Sequence, residues 1–184
     1  MASAPVRMEW SVLSWTRWAG PVAGPGRNVA AVTGERETAR VLCVDVEDRV
    51  LLLRWRDPHD GHLLWEPPGG GVETGETHRQ AAARELTEET GLVADLTDAP
   101  STPVWSDAWW NGTRHVGTEP YFLVRFTEPA PAVGRAGLLD HEADTLLEHR
   151  WVPWRDIAAL DGVVLPADAV AVLRRLDPAG AWAR

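Results

Sequence analysis

The segment from Pro67 to Gly91 constrains this chain more than any other. Pro67-Pro68-Gly69-Gly70-Gly71 cannot be helical, because proline lacks the amide donor and glycine carries the largest backbone entropy cost; it is expected to be a loop. The alanine-rich run 77–90 that follows reads as a helix, ended by Gly91 in the left-handed cap position. Strands are expected on both sides of it. Upstream, 40–46 and 50–56 are β-branched or leucine-rich runs separated by Glu47-Asp48-Arg49. Downstream, 102–110 and 113–116 flank Asn111-Gly112, a strong hairpin signal, and 121–126 and 150–154 read as further strands. Residues 134–147 read as a loop with a short helix, 157–160 as a helical turn, and 168–176 as a closing helix after Pro166.

The helix carries an arrangement that fold stability does not explain. At 3.6 residues per turn, Glu85, Glu88 and Glu89 share one arc of about 100°, while Ala82, Ala83 and Leu86 point to the flank that can face a core. Like charges three and four residues apart destabilise a helix, and Glu88 and Glu89 also meet the negative end of its dipole. A hard divalent cation with oxygen ligands, Mg²⁺ or Mn²⁺, removes that repulsion. The glycines before the helix allow close backbone approach to a ligand and leave a carbonyl free to join the metal.

The spacing joins these two weak signals. Gly70, five residues, Glu76, seven residues, then Arg84-Glu85-Leu86-Thr87-Glu88-Glu89-Thr90-Gly91-Leu92 resembles the complete Nudix box, without a departure. At this chain's own residue frequencies, a chance match is below about one in a million. The lead-in Trp65-Glu66-Pro67-Pro68-Gly69-Gly70 looks like that of MutT-type members, and Arg150-Trp151-Val152 is similar to the family's closing strand. The resemblance covers about residues 40–160. It implies an α/β/α sandwich with a mixed β-sheet, the box helix on one side and the C-terminal helix on the other or at an edge.

The resemblance also implies a reaction: metal-dependent hydrolysis of a diphosphate bond in a nucleoside diphosphate linked to another group, either a nucleoside triphosphate or a nucleotide sugar. The proline-glycine lead-in tilts this towards triphosphates or a broad range. Glu85, Glu88, Glu89 and the Gly69 carbonyl are the expected metal ligands, and Arg84 is expected to orient Glu76 or Glu85. Glu85 is the first candidate for general base, with Glu142 and then Glu119 as distal alternatives. Trp105, Trp109, Trp110 and Asn111 are candidate readers of the substrate, although strand alternation can equally place Trp105 and Trp109 in the core. Arg54, Arg56 and Arg114 are candidate phosphate contacts; His59 and His62, without cysteine partners, make a poor zinc site.

Composition closes several other routes. All 18 basic residues are arginine, which excludes a Schiff-base lysine, a pyridoxal-phosphate anchor and the lysine of a GxxxxGK phosphate loop. With 27 acidic residues and a formal charge of −9, general nucleic-acid binding is not expected; the partner is a small nucleotide. The single cysteine, Cys43, sits in an apolar run and is expected in the core, which also argues against a cysteine-dependent isomerase of a related fold. With no signal-like or membrane-spanning run, a cytoplasmic protein is expected. Residues 1–37, with Trp10, Trp15 and Trp18 and a Gly-Pro-rich stretch, read as an extension and linker, and 38–184 as the domain. A homodimer, common in the family, is one expected assembly. The alternative function is a non-catalytic nucleotide-sensing or interaction module of the same fold.

Overall fold

The computed structural model describes residues 37–183, so apart from Glu37 the expected N-terminal extension lies outside the described residues. Eight strands form one mixed sheet: β1 (Thr38–Val44), β2 (Arg49–Arg56), β3 (Leu63–Glu66), β4 (Gly69–Gly71), β5 (Ser101–Trp110), β6 (Thr113–Arg125), β7 (Leu146–Pro153) and β8 (Val163–Val164). Its main path runs β5-β6-β1-β2-β3-β8, with β4 added to β1 and β7 to β2. The β1–β6 and β3–β8 pairs are parallel and the others antiparallel.

Alternation along the central strands builds two cores. Val41 and Cys43 of β1 join Leu51, Leu53 and Trp55 of β2 on one face, where Ala82 and Leu86 of helix α1 (His78–Thr90) cover them. Leu42, Val44, Val50 and Leu52 point to the opposite face, covered by Ala169, Val172, Leu173 and Leu176 of helix α3 (Ala169–Leu176). Each fully buried leucine contributes about 1.5–3 kcal/mol, which holds both helices on the sheet and completes an α/β/α sandwich. Cys43 is inside the first core, where burial pushes its thiol up, out of the range of a reactive thiolate.

Three local expectations change. The glycine run is not all loop: Gly69–Gly71 pairs antiparallel with Thr38–Arg40, because an edge of β1 is open there and glycine permits the close approach. The stretches 113–116 and 121–126 form one strand, β6, whose pairing with β5 continues through Pro120. Strands β3 and β8 are additions that the sequence reading did not include.

Asn111 and Gly112, both with positive φ, turn the β5–β6 hairpin, and its tip docks on the β2–β3 loop. The Asn111 N–H donates to Asp57 Oδ2 at 2.7 Å, and the buried Asp57 carboxylate also accepts the His59 and Asp60 N–H groups. A cleft of about 310 Å³ opens between this hairpin, β1, β3, β4 and helix α2 (Asp140–Thr145), within the size range of small-molecule sites. Among the described residues, no helix is long and apolar enough to cross a membrane.

Candidate active site

Helix α1 is fixed firmly at both ends. Thr77 caps its N-terminus in a capping box with Gln80, and Gly91 closes it in the left-handed region at φ 72°. Between the caps, Glu85 and Glu89 are buried against β4 and Glu88 remains half-exposed. The Gly69 N–H donates to Glu89 Oε2 at 2.9 Å. Gly70 leaves room for Glu85: a Cβ at that position would lie 2.5 Å from Glu85 Oε1. Gly69, at φ 149°, has no room either, since its Cβ would overlap the Ala39 carbonyl. Two of the three glycines are therefore dictated by what packs on them.

Arg84 joins the carboxylates. Its Nε and Nη2 donate to Glu76 at 2.9 and 3.0 Å, Nη1 to Glu85 Oε1 at 3.0 Å and Glu88 Oε2 at 2.8 Å, and Nη2 also to the Gly71 carbonyl at 2.9 Å. The paired guanidinium lowers the Glu76 carboxyl below its usual range. Glu85 moves the other way: burial raises its pKa, with Glu88 and Glu142 adding to the effect and Arg84 opposing it. Glu89 is raised further, by burial first and then by Glu66 and Glu85, against the Gly69 N–H and Arg40. Two adjacent buried carboxylates that resist ionisation are a site short of positive charge.

A second polar cluster forms the floor of the cleft. Arg40 Nη1 lies 2.9 Å from Glu66 Oε2 and donates to the Gly69 carbonyl at 3.2 Å, while Nε reaches Glu119 Oε2 at 3.5 Å. Glu119 also accepts from Thr38 Oγ1 at 2.7 Å and Tyr121 OH at 3.4 Å. Arg40 thus donates to the same carbonyl that the sequence resemblance puts among the expected metal ligands. Sequence reading missed Arg40 and used Glu66 only as part of the lead-in. The available signal was an arginine inside the otherwise buried run Ala39–Val44, a charge that a strand buries only with partners.

Of the candidate substrate residues, Trp109 and Trp110 line the cleft, as do Glu119 and Glu142. Trp105 and Trp109 are exposed rather than in the core, 59% and 45%, and Trp110 packs edge-to-face on Trp55 at 6.3 Å. The others serve elsewhere. Arg54 is engaged by Glu148 and Asp161 and lies over the Trp65 ring; Arg114 pairs with Asp107; Arg56 is exposed; and Asn111 forms the hairpin turn. None of these four, nor Trp105, borders the cleft. Glu142 Oε2 accepts the Leu139 N–H at 2.9 Å. The β2–β3 loop brings ligand atoms of Asp57, Asp60 and His62 within 4.8 Å of one another, but Asp57 is taken up by three backbone donors and His62 Nδ1 lies 2.6 Å from Asp60 Oδ1.

The NUDIX domain pattern matches residues 34–174. The chain belongs to the Nudix family. An RNA pyrophosphohydrolase of Erythrobacter litoralis is 36% identical over 98 residues, 48% of this chain and 58% of that protein. The chain thus spans just over half the length of that relative. Another RNA pyrophosphohydrolase, from Roseobacter denitrificans, is 32% identical over 132 residues, 66% of this chain and 79% of the relative. A solved C. elegans Ap4A hydrolase superposes with a TM-score of 0.55 at 23% identity, covering 78% of this chain and 96% of that one, a likeness of fold alone. The mixed sheet with helices on both faces is therefore the Nudix fold.

Proposed function

We propose that this Nudix domain is a pyrophosphohydrolase that uses Mg²⁺ or Mn²⁺ to cleave a diphosphate bond in a nucleoside diphosphate linked to another group. The observation that carries this reading is the buried Glu85–Glu89 pair packed on the glycine strand, Glu85 against Gly70 and Glu89 on the Gly69 N–H at the edge of the cleft, with pKa values raised by burial. The donor set suits a hard divalent cation: carboxylates of Glu85, Glu88 and Glu89 and the Gly69 carbonyl, all oxygen and in excess of the nearby guanidinium charge. Such an ion supplies neutralisation of the pyrophosphate oxygens and a lowered pKa for a bound water.

The chain's own residues do the rest. Arg84 holds Glu85 Oε1, so Oε2 is the oxygen assigned to take the proton from the attacking water. The water oxygen bonds to phosphorus, the bridging P–O bond breaks, and the leaving phosphate departs with its electrons. Glu142 is the alternative base, although its Oε2 is already engaged by the Leu139 N–H. Arg40, held by Glu66 and Glu119, positions the Gly69 carbonyl. Hydrolysis of a panel of nucleoside triphosphates, nucleotide sugars and dinucleoside polyphosphates, with products separated by chromatography, tests this. Metal-dependent cleavage lost in Glu88→Gln and Glu89→Gln is expected; saturable nucleotide binding without turnover of any compound would replace the hydrolase with a sensing module.

A further inference from the structure

The end of the cleft away from Glu89 contains a buried donor with no partner. Trp55 is 5% exposed and borders the cleft, yet its Nε1–H makes no hydrogen bond. A buried unpaired N–H costs about 1–3 kcal/mol, so a group like this calls for an acceptor. Two other side-chain nitrogens, Arg54 Nε and Trp154 Nε1, are also unpaired, but neither residue borders the cleft.

The surroundings define what that acceptor belongs to. Leu64, Leu165 and Trp110 supply apolar and aromatic lining, and the hydroxyl of Thr145, on helix α2, donates to the backbone of its own helix. The sole arginine bordering the cleft among the described residues is Arg40, which Glu66, Glu119 and two carbonyls already hold. This end therefore does not suit another phosphate. It suits an uncharged planar ring with a ring nitrogen or carbonyl oxygen to offer.

Register places that end at a useful distance. In the β2–β3 ladder Leu53 faces Glu66 and Trp55 faces Leu64, so Trp55 stands two residues, about 7 Å, along the strands from the polar floor. A diphosphate held beside Glu89 and Gly69 would send its attached sugar and base in this direction. We propose that Trp55 and Trp110 form the nucleobase subsite, with the Trp55 indole N–H donating to the base and Trp110, on the hairpin, closing over its face. This rests on the pyrophosphohydrolase reading for the phosphate end, but base binding is measurable without turnover.

The test is the indole N–H spectrum of protein carrying ¹⁵N-tryptophan, with the Trp55 resonance assigned by its loss in Trp55→Phe. Adenosine monophosphate should shift that resonance, with smaller changes at Trp110, whereas ribose 5-phosphate and inorganic pyrophosphate should leave it in place. Trp55→Phe should raise KM for nucleotide substrates about tenfold, the value of one such hydrogen bond, with kcat within about twofold. A Trp55 resonance unmoved by saturating nucleotide, or a KM unchanged in Trp55→Phe, overturns the subsite even if hydrolysis is intact. A shifted resonance in a protein that hydrolyses nothing keeps the subsite and removes the hydrolase; a protein that binds no nucleotide loses both.

Discussion

The two helices that cover the sheet obey different rules. Helix α3 follows stability at each point: Asp168 caps it, Arg174 and Arg175 complement the dipole in its last turn, and a clean apolar face buries Val172, Leu173 and Leu176. Helix α1 is capped equally well but has no acidic residue in its first turn and no basic one in its last, where it carries Glu88 and Glu89 instead. It buries Glu85 and Glu89 beside Leu86, whereas α3 buries only apolar residues. The same sheet supports both, so the difference reflects what each helix faces: α3 only a core, α1 a core through Ala82 and Leu86 and the edge of the cleft through Glu89.

This contrast predicts opposite consequences of mutation. In α1, Glu89→Gln should lower kcat by roughly a thousandfold, the scale of losing one preorganised charged group at a reaction centre. Without metal the variant should melt at a higher temperature than the wild type, because an uncompensated buried carboxylate has been removed. Activity within tenfold of the wild type would erase the distinction between the helices. In α3, Leu173→Ala should do the reverse. Leu173 is fully buried, so its truncation should cost about 2–5 kcal/mol in chemical denaturation while kcat, measured well below the melting temperature, stays unchanged.

The same contrast separates what sequence could reveal from what it could not. The box helix, its Gly91 cap, the Asn111-Gly112 hairpin and the α3 cap depend on neighbours in the chain, and local chemistry was enough to read them. The Arg84 partners also follow from short separations along the helix and loop. The Arg40–Glu66–Glu119 cluster joins three strands across 79 residues, and no local pattern encodes it. Trp55 was hidden for a related reason. Its alternation with Leu51 and Leu53 marks a core residue, which it is, and only the sheet register shows that its strand end reaches the cleft. Among the candidate phosphate contacts, Arg54 and Arg114 found carboxylate partners from other parts of the chain or across the hairpin, and charge alone carried no sign of that.

Metal should sharpen the comparison in a pH-dependent way. Glu85 and Glu89 have folded pKa values raised above the unfolded carboxylate value, so without metal they favour the native state most in acid, and that contribution is lost as pH rises through the raised values. A divalent cation binds the ionised forms, so its stabilisation should grow over the same interval. Calorimetry with and without Mg²⁺ should show a larger rise in melting temperature at about pH 8 than at about pH 5. An equal gain at both would mean that the buried pair is not where the ion binds.

The smallest expected effect concerns the feature that the helices share. Thr77→Ala and Asp168→Ala each remove an N-cap acceptor, and each should cost about 1 kcal/mol of stability. Capping acts on the first turn, whereas Glu85 and Glu89 occupy the middle and last turns of α1, beyond the reach of a frayed N-terminus. Both variants should therefore lose stability equally and keep kcat within about twofold, a difference too small to count as lost catalysis. If Thr77→Ala alone lowers kcat, the capped end of α1 transmits strain to the glutamates through Glu76 and Arg84, and the helix's stability and its chemistry are not separable after all.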